Sequence, residues 1–525
     1  MIKKSFGRYL PLIAVLAAYL FLLLYLGSYK LYLYEDEVLS YTSANSETGM
    51  YIELESDKWY DGSLVQNAVT AMPGETFHYA NTLKNSFADN HPPLHTLLVH
   101  TACSFFPGRF SKWYGLSVNI IAGLFLLIVL YQIGLLIFDG RRMPSCAFLL
   151  SLVFSLGFTD TLLTIRNYTL LMLGCSIYML LHLKALKENR VDRRFFLLLF
   201  CSAVFGMMCH YYFLTVAFYI SAFFCLRQLF QKHFRDFGIY VVTMVLAGIA
   251  TILILPDIIS DIFFSQSGSG NFALRNMGEL INRFKTTYLI INQDIFFGRL
   301  KFFLLAAFII LILAVLHKRK DGIEAGSSKG IPVLTGFLER HRLILLPAFT
   351  CLCFYIIGSA TLTYLATRYL SPIYPFLVLL LTFFADRICG LLFRNQSVGL
   401  AIFIFLMILP MYDRISAGLT DHNKILMTEA AELHSSDDCV LISGFPLEEN
   451  FFELQRFHGF CQISSHSDTK DPRITEAKEL VVYIPNGKDS QECISLMQKL
   501  NPGLTKAERL YVAYYSTAWL LQSEE

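Results

Sequence analysis

The sequence predicts a polytopic α-helical membrane protein that ends in a small α/β domain. Two observations carry that expectation and a third orients it. The 525-residue chain is 55% hydrophobic and only 16% charged, with a mean hydropathy of +0.50, whereas soluble domains carry about 25% charged residues. Apolar runs recur at membrane-crossing length over residues 1–412, and the composition then changes over 413–525. Lysine and arginine crowd one set of loops and are sparse in the other.

Taken in order, Lys3, Lys4 and Arg8 precede about twenty apolar residues without a small-residue cleavage pattern, so 9–28 reads as an uncleaved anchor. The polar loop 29–114 follows. Within it the apolar run 94–107 has about 14 residues, roughly 21 Å as a helix against a hydrocarbon core of about 30 Å. It reads as a helix lying on the outer surface. The runs 115–138, 145–163 and 168–183 are single spans. The run 195–226, about 32 residues, is too long for one untilted span and reads as a hairpin turning near His210. Runs at 238–256, 299–316, 343–360, 369–385 and 398–412 bring the expected total to about 11 transmembrane helices.

Charge sets the orientation. Loops 1–8, 139–144, 184–194, 227–237, 317–342 and 386–397 hold about 21 Lys and Arg in roughly 75 residues, and face the cytoplasm. Loops 29–114, 164–167, 257–298 and 361–368 hold about 10 in nearly twice that length and face outward. The expected location is the plasma membrane, with the N-terminus inside and the C-terminus outside. The outer loop 257–298, with Gln266-Ser267-Gly268-Ser269-Gly270, has the composition of a lid. In the tail 413–525, strand-length runs at 440–442 and 480–484 alternate with helical stretches at about 421–434 and 489–500, as in a small extracytoplasmic α/β domain.

Composition narrows the chemistry. A formal net charge of +2 gives no basis for a nucleic-acid partner. Most of the 12 cysteines sit in apolar runs and no C-x-x-C occurs, so they read as small buried hydrophobes. Polar groups gather instead at the outward ends of the spans: Asp36, Glu37, Asp89, His91, Arg166, Tyr168, His210, Arg275, Arg283, Lys285, Arg368 and Tyr369. A transporter coupled to ions places such groups near mid-bilayer, where this sequence has almost none. Polar groups at one face suit an enzyme whose substrate is held in the bilayer by a lipid tail.

The Asp36-Glu37 pair after the first helix, Asp89-x-His91-Pro92-Pro93-Leu94, Arg166-x-Tyr168, His210-Tyr211-Tyr212 and Arg368-Tyr369-Leu370-x-Pro372 together resemble the polyprenyl-phosphate-sugar glycosyltransferases of the GT-C class. The likeness is to the protein O-mannosyltransferase and aminoarabinose transferase superfamily, over roughly 9–412. The resemblance implies a GT-C-like catalytic domain over 1–412, with the His-Pro-Pro segment opening a surface helix and Asp36 acting as general base on the acceptor. The chain departs from the aminoarabinose transferases in having His91 where they carry a lysine, so the sugar stays unassigned.

Sugar transfer from a lipid phosphate to a hydroxyl needs a base and a stabilised phosphate leaving group. A carboxylate such as Glu37 beside Asp36 raises its proton affinity by like-charge repulsion. Asp89 and His91 are candidates to position the sugar or the phosphate, or to hold a divalent cation with Asp36. Arg166, Arg368, Arg275 and Arg283, with His210 and Tyr168, are the candidate phosphate ligands, because guanidinium forks match phosphate oxygens. The expected partners are a polyprenyl-phosphate-linked sugar, membrane lipid, and an acceptor that is a protein, a polymer or a lipid. A lipid-linked glycan ligase and a flippase for lipid-linked substrates are the alternatives.

Overall fold

Long runs of Leu, Ile and Phe leave the backbone no water to bond, so they close their hydrogen bonds internally as helices. The computed structural model describes residues 2–30, 33–89, 91–263, 277–303, 305, 330–362, 365–412, 429–430, 432–434, 436–443, 457–512 and 515–524. It forms two compact units, each described by itself. Met1–Leu26, Asn90–Leu94 and Asn119–Ile415 make the first, and Gly27–Asp89, His95–Val118 and Ser416–Glu525 the second.

Seven helices among the described residues are long and apolar enough to cross a membrane: Tyr9–Ser28, Lys112–Ile137, Tyr168–Glu188, Phe213–Phe230, Phe234–Ile254, His341–Thr361 and Thr367–Leu392. The pair Arg142–Val153 and Leu156–Leu163, bent by 61°, adds an eighth if it is one span. Two further apolar helices, Arg193–Cys209 and Gln396–Ile408, have 17 and 13 residues. Most of the expected span 299–316 lies outside the described residues.

The structure departs from the uniform spans of the sequence reading in three places. The 145–163 run breaks at Phe154–Ser155, where the Ser155 hydroxyl donates to Leu152 O at 2.8 Å and its backbone turns extended. A serine bonding its own neighbourhood competes with the helix ladder. The stretch 257–298 is no simple loop: it contains Ile258–Phe263 and the 20-residue helix Met277–Phe296. Ile281, Phe284, Tyr288, Ile291 and Ile295 recur at helical spacing along that helix, while the Gly/Ser segment lies outside the described residues. Among the described residues, the span Tyr168–Glu188 also carries a titratable side chain in a buried hydrogen-bond network. Buried His182 bonds Tyr178 O at 2.8 Å and the Tyr240 hydroxyl at 2.9 Å, and the Tyr178 and Tyr240 hydroxyls share Ser221. The run 195–226 turns as expected: one helix ends at Cys209 and the next begins at Phe213.

An ion pair with a buried carboxylate ties three helices of this unit. The Arg141 guanidinium donates to both oxygens of Asp386 at 3.0 and 2.5 Å, and Gln396 Nε2 donates to Asp386 Oδ1 at 2.7 Å. Asp386 is 1% exposed, whereas the Arg141 side chain is 40% exposed. Truncating the arginine strands a buried carboxylate, and a lost partner of that kind costs about 1–3 kcal/mol. Arg141→Ala should therefore lower thermal stability by that order. The double variant Arg141→Ala/Asp386→Leu should recover part of the loss, because the uncompensated charge is gone. Thermal unfolding in detergent measures both.

The second unit is built on a six-stranded sheet in the order β1-β3-β2-β4-β6-β5. Its strands are β1 Trp59–Asp61, β2 Asp438–Ile442, β3 Gly459–Ile463, β4 Glu479–Pro485, β5 Lys506–Val512 and β6 Ser516–Gln522. β2 runs parallel to β3 and β4, while β1, β6 and β5 run antiparallel to their neighbours. The two apolar runs picked out in the tail are β2 and β4, the parallel centre, whose continuous hydrophobicity suits strands covered on both faces. Helix Ser490–Leu500 begins where Asp489 Oδ1 accepts from the backbone of Gln491 and Glu492, an ordinary N-cap. Val440, Ile463, Val482, Met497 and Leu521 are among the residues of its core. β1 comes from the first polar loop and bonds to the edge of β3. Its chain can come that close only because Gly62 follows: a Cβ there would lie 2.0 Å from Phe457 O. The expected helix 421–434 lies mostly outside the described residues.

Candidate active site

In the first unit, Arg166 stands in the short link between Leu156–Leu163 and Tyr168–Glu188. Asn119 Nδ2 pins that link by donating to Leu162 O at 3.2 Å and Thr164 O at 2.6 Å. Arg166 is 8% exposed, and its Nη2 lies 3.3 Å from His91 Nε2. A guanidinium only donates, so in this contact His91 is the acceptor, through Nε2.

His91 meets His210 edge to face at 5.7 Å. His210 ends the helix Arg193–Cys209 in extended backbone, and its Nδ1 accepts from Tyr212 N at 3.1 Å. Its ring packs on Tyr168 at 5.2 Å and Tyr212 at 4.8 Å. Both tyrosines reach Tyr369 at 5.7 Å, and the Arg368 guanidinium lies 5.1 Å from the Tyr369 ring centre. Five rings from four separate chain segments thus link two guanidinium-bearing helix ends. Such a cluster offers forked donors to phosphate oxygens and aromatic faces to the apolar side of a sugar.

The candidate acids lie in the second unit. Glu35, Asp36 and Glu37 occupy the first turn of helix Glu35–Asn45, where the dipole favours negative charge. Their uses differ. Glu37 is 1% exposed, accepts from Tyr34 N at 3.0 Å as half of a capping box, and pairs with Lys30 at 2.8 Å. Asp36 is half-buried and accepts from the Tyr34 hydroxyl. Asp89 ends the helix Ala80–Ala88, its N–H bonded to Ser86 O.

Arg283 was expected at a phosphate, but its Nε donates to Ser359 O at 2.8 Å and its Nη2 to Leu362 O. It serves the carbonyls at the end of the helix around Ser359–Thr361. Arg275 lies outside the described residues. Lys30 balances Glu37 with an ammonium, while Asp36 keeps the Tyr34 hydroxyl as its partner. A histidine and two carboxylates with converging ligand atoms do occur elsewhere in the second unit, at His434, Asp437 and Glu479. There His434 Nδ1 is 2.7 Å from Asp437 Oδ2, the spacing of an ordinary ion pair. Sequence reasoning missed two buried residues of the first unit, Asp294 and Tyr374, whose hydroxyl and carboxylate bond each other. Their only signal was a lone acid near the end of an amphipathic helix.

Residues 90–259 match the family model described as dolichyl-phosphate-mannose-protein mannosyltransferase. No curated protein matches the chain. Among solved structures it is similar to ArnT from Cupriavidus metallidurans bound to undecaprenyl phosphate, with a TM-score of 0.51 and 11% identity over 92% of this chain and 96% of that one. The apo state of the same protein aligns with a TM-score of 0.49 and 10% identity, over 96% of this chain and 98% of that one. At such identity the likeness speaks for the fold. The chain has the GT-C fold that its motifs led us to expect.

Proposed function

We propose that this chain, a multi-pass membrane protein with the GT-C glycosyltransferase fold, transfers a glycosyl unit from a polyprenyl-phosphate donor to an acceptor hydroxyl on the extracytoplasmic side. The observation that carries the reading is the ring-and-guanidinium cluster of Arg166, His91, His210, Tyr168, Tyr212, Tyr369 and Arg368. The mannosyltransferase match over 90–259 supports it. So does the undecaprenyl phosphate carried by the ArnT structure of similar fold.

The chemistry follows from the groups at hand. Asp36 takes the proton of the acceptor hydroxyl, whose oxygen attacks the anomeric carbon from the face opposite the phosphate. The bond from that carbon to the phosphate oxygen breaks, its electron pair leaves with the lipid phosphate, and the configuration inverts. Arg368 and Arg166 meet the charge that grows on the leaving group, and Arg166 holds the His91 ring by its Nε2. Glu37 takes a different part from the one its place beside Asp36 suggested: it caps the helix and pairs with Lys30, which sets the first turn that carries Asp36.

Purified protein in nanodiscs, given polyprenyl-phosphate-linked mannose or pentose and an envelope extract as acceptor, should release free polyprenyl phosphate only when acceptor is present. Passage of the intact donor across a vesicle bilayer without that release would replace the transferase reading with a flippase.

A further inference from the structure

One junction of the first unit lies outside the cluster itself. Tyr374 is fully buried and Asp294 is 6% exposed. The Tyr374 hydroxyl bonds the Asp294 carboxylate and lies 3.1 Å from Thr367 O. Thr367 opens the four-residue helix Thr367–Leu370 that carries Arg368 and Tyr369, and the Ser371 hydroxyl donates to Arg368 O at 2.7 Å on the other side. The same pair presses on the segment that carries Arg166. Gly157, in the first turn of Leu156–Leu163, sits so close that a Cβ there would lie 2.5 Å from the Tyr374 ring and 2.7 Å from Asp294 Cβ.

Three segments therefore meet at one buried acid–hydroxyl contact: the helix Met277–Phe296 that supplies Asp294, the broken helix leading to Arg166, and the strut bearing Arg368. A carboxylate is costly to bury unless it accepts hydrogen bonds. Apolar packing alone could join three helices without it. A side-chain hydrogen bond, unlike packing, fixes direction, and the single Tyr374 hydroxyl proton is shared between the Asp294 carboxylate and Thr367 O, at the start of the Arg368 strut. We infer that Asp294 and Tyr374 are positioning residues that set the Arg368 guanidinium relative to Arg166 for the two ends of one donor phosphate. The inference rests on the transferase reading above, in which those arginines meet the donor.

The test is donor titration of the full chain in nanodiscs at fixed acceptor, with KM and kcat read separately and thermal unfolding as a check on folding. Tyr374→Phe keeps the ring and removes the hydroxyl. It should raise the apparent donor KM about threefold to tenfold, the worth of one buried hydrogen bond, with a smaller effect on acceptor KM. Asp294→Asn retains an acceptor oxygen and should stay nearer to the native value than the apolar Asp294→Leu. In an Arg368→Ala background the Tyr374→Phe effect should vanish, because the group it positions is gone. If Tyr374→Phe raises donor KM by the same factor with and without Arg368, the positioning role is overturned while the donor site stands. If Arg368→Ala itself leaves donor KM unchanged, the donor-site reading fails first. Equal losses in Asp294→Asn and Asp294→Leu would also overturn the inference, since charge rather than bond direction would then matter.

Discussion

Asp36→Asn should lower turnover by about 10²–10⁴-fold, the usual contribution of general acid–base catalysis, while donor binding changes little. The substitution keeps the shape of the side chain and removes the proton acceptor. Asp36 is half-buried in the first turn of Glu35–Asn45 with the Tyr34 hydroxyl on one oxygen, so the amide can keep that contact and the helix should persist. Glu37→Gln is the informative companion. Glu37 is engaged by Lys30 and by the backbone of Tyr34, so its loss should reduce thermal stability more than turnover. Measured side by side under saturating donor, the two variants separate a base from a cap. If Asp36→Asn turns over normally and Glu37→Gln does not, the roles are reversed.

Arg368→Ala should weaken apparent donor affinity by about ten- to a hundredfold, the range for hydrogen bonds to charged groups. Acceptor affinity should hardly move. Arg368 begins the apolar helix run Thr367–Leu392, where a phosphate that diffuses in the bilayer with its lipid tail would arrive. Its guanidinium is backed by the Tyr369 ring at 5.1 Å, which limits the directions its fork can take. Arg368→Lys keeps the charge without the fork and should fall between native and alanine. Donor titration at fixed acceptor reads all three. Unchanged affinity in Arg368→Ala would remove the donor-site reading of the cluster that Arg368 and Tyr369 belong to.

What the sequence made legible divides by the range of the cause. Run length together with the lysine and arginine distribution placed a turn near His210, because about 32 apolar residues exceed one span and are tight for two. Strand-length apolar runs exposed β2 and β4 for the same reason. The break at Ser155 stayed hidden inside a run that is apolar throughout, since one hydroxyl-to-carbonyl bond decides it. The capping role of Glu37 was masked because Tyr34, not serine or threonine, stands at the N-cap. Among site residues, Arg166, His91, Tyr168, His210, Arg368 and Tyr369 were picked from separate motifs, and the rings join them into one cluster. Arg283 went to helix carbonyls instead, a use that no local pattern distinguishes from a phosphate site. Asp294 escaped notice because its partner Tyr374 lies 80 positions away.

The small strand β1 has a consequence for how the chain is made. Trp59 pairs with Cys461, so about 400 residues must leave the ribosome before the first polar segment can complete its sheet. Every apolar helix from Lys112 to Ile408 is synthesised in that interval. The early segment must wait with its edge unpaired while the membrane is being threaded. A chain stopped short of Gly459 leaves Trp59–Asp61 without the strand it needs. Such a fragment would present an unfinished edge to quality-control proteases, even with all of those helices inserted.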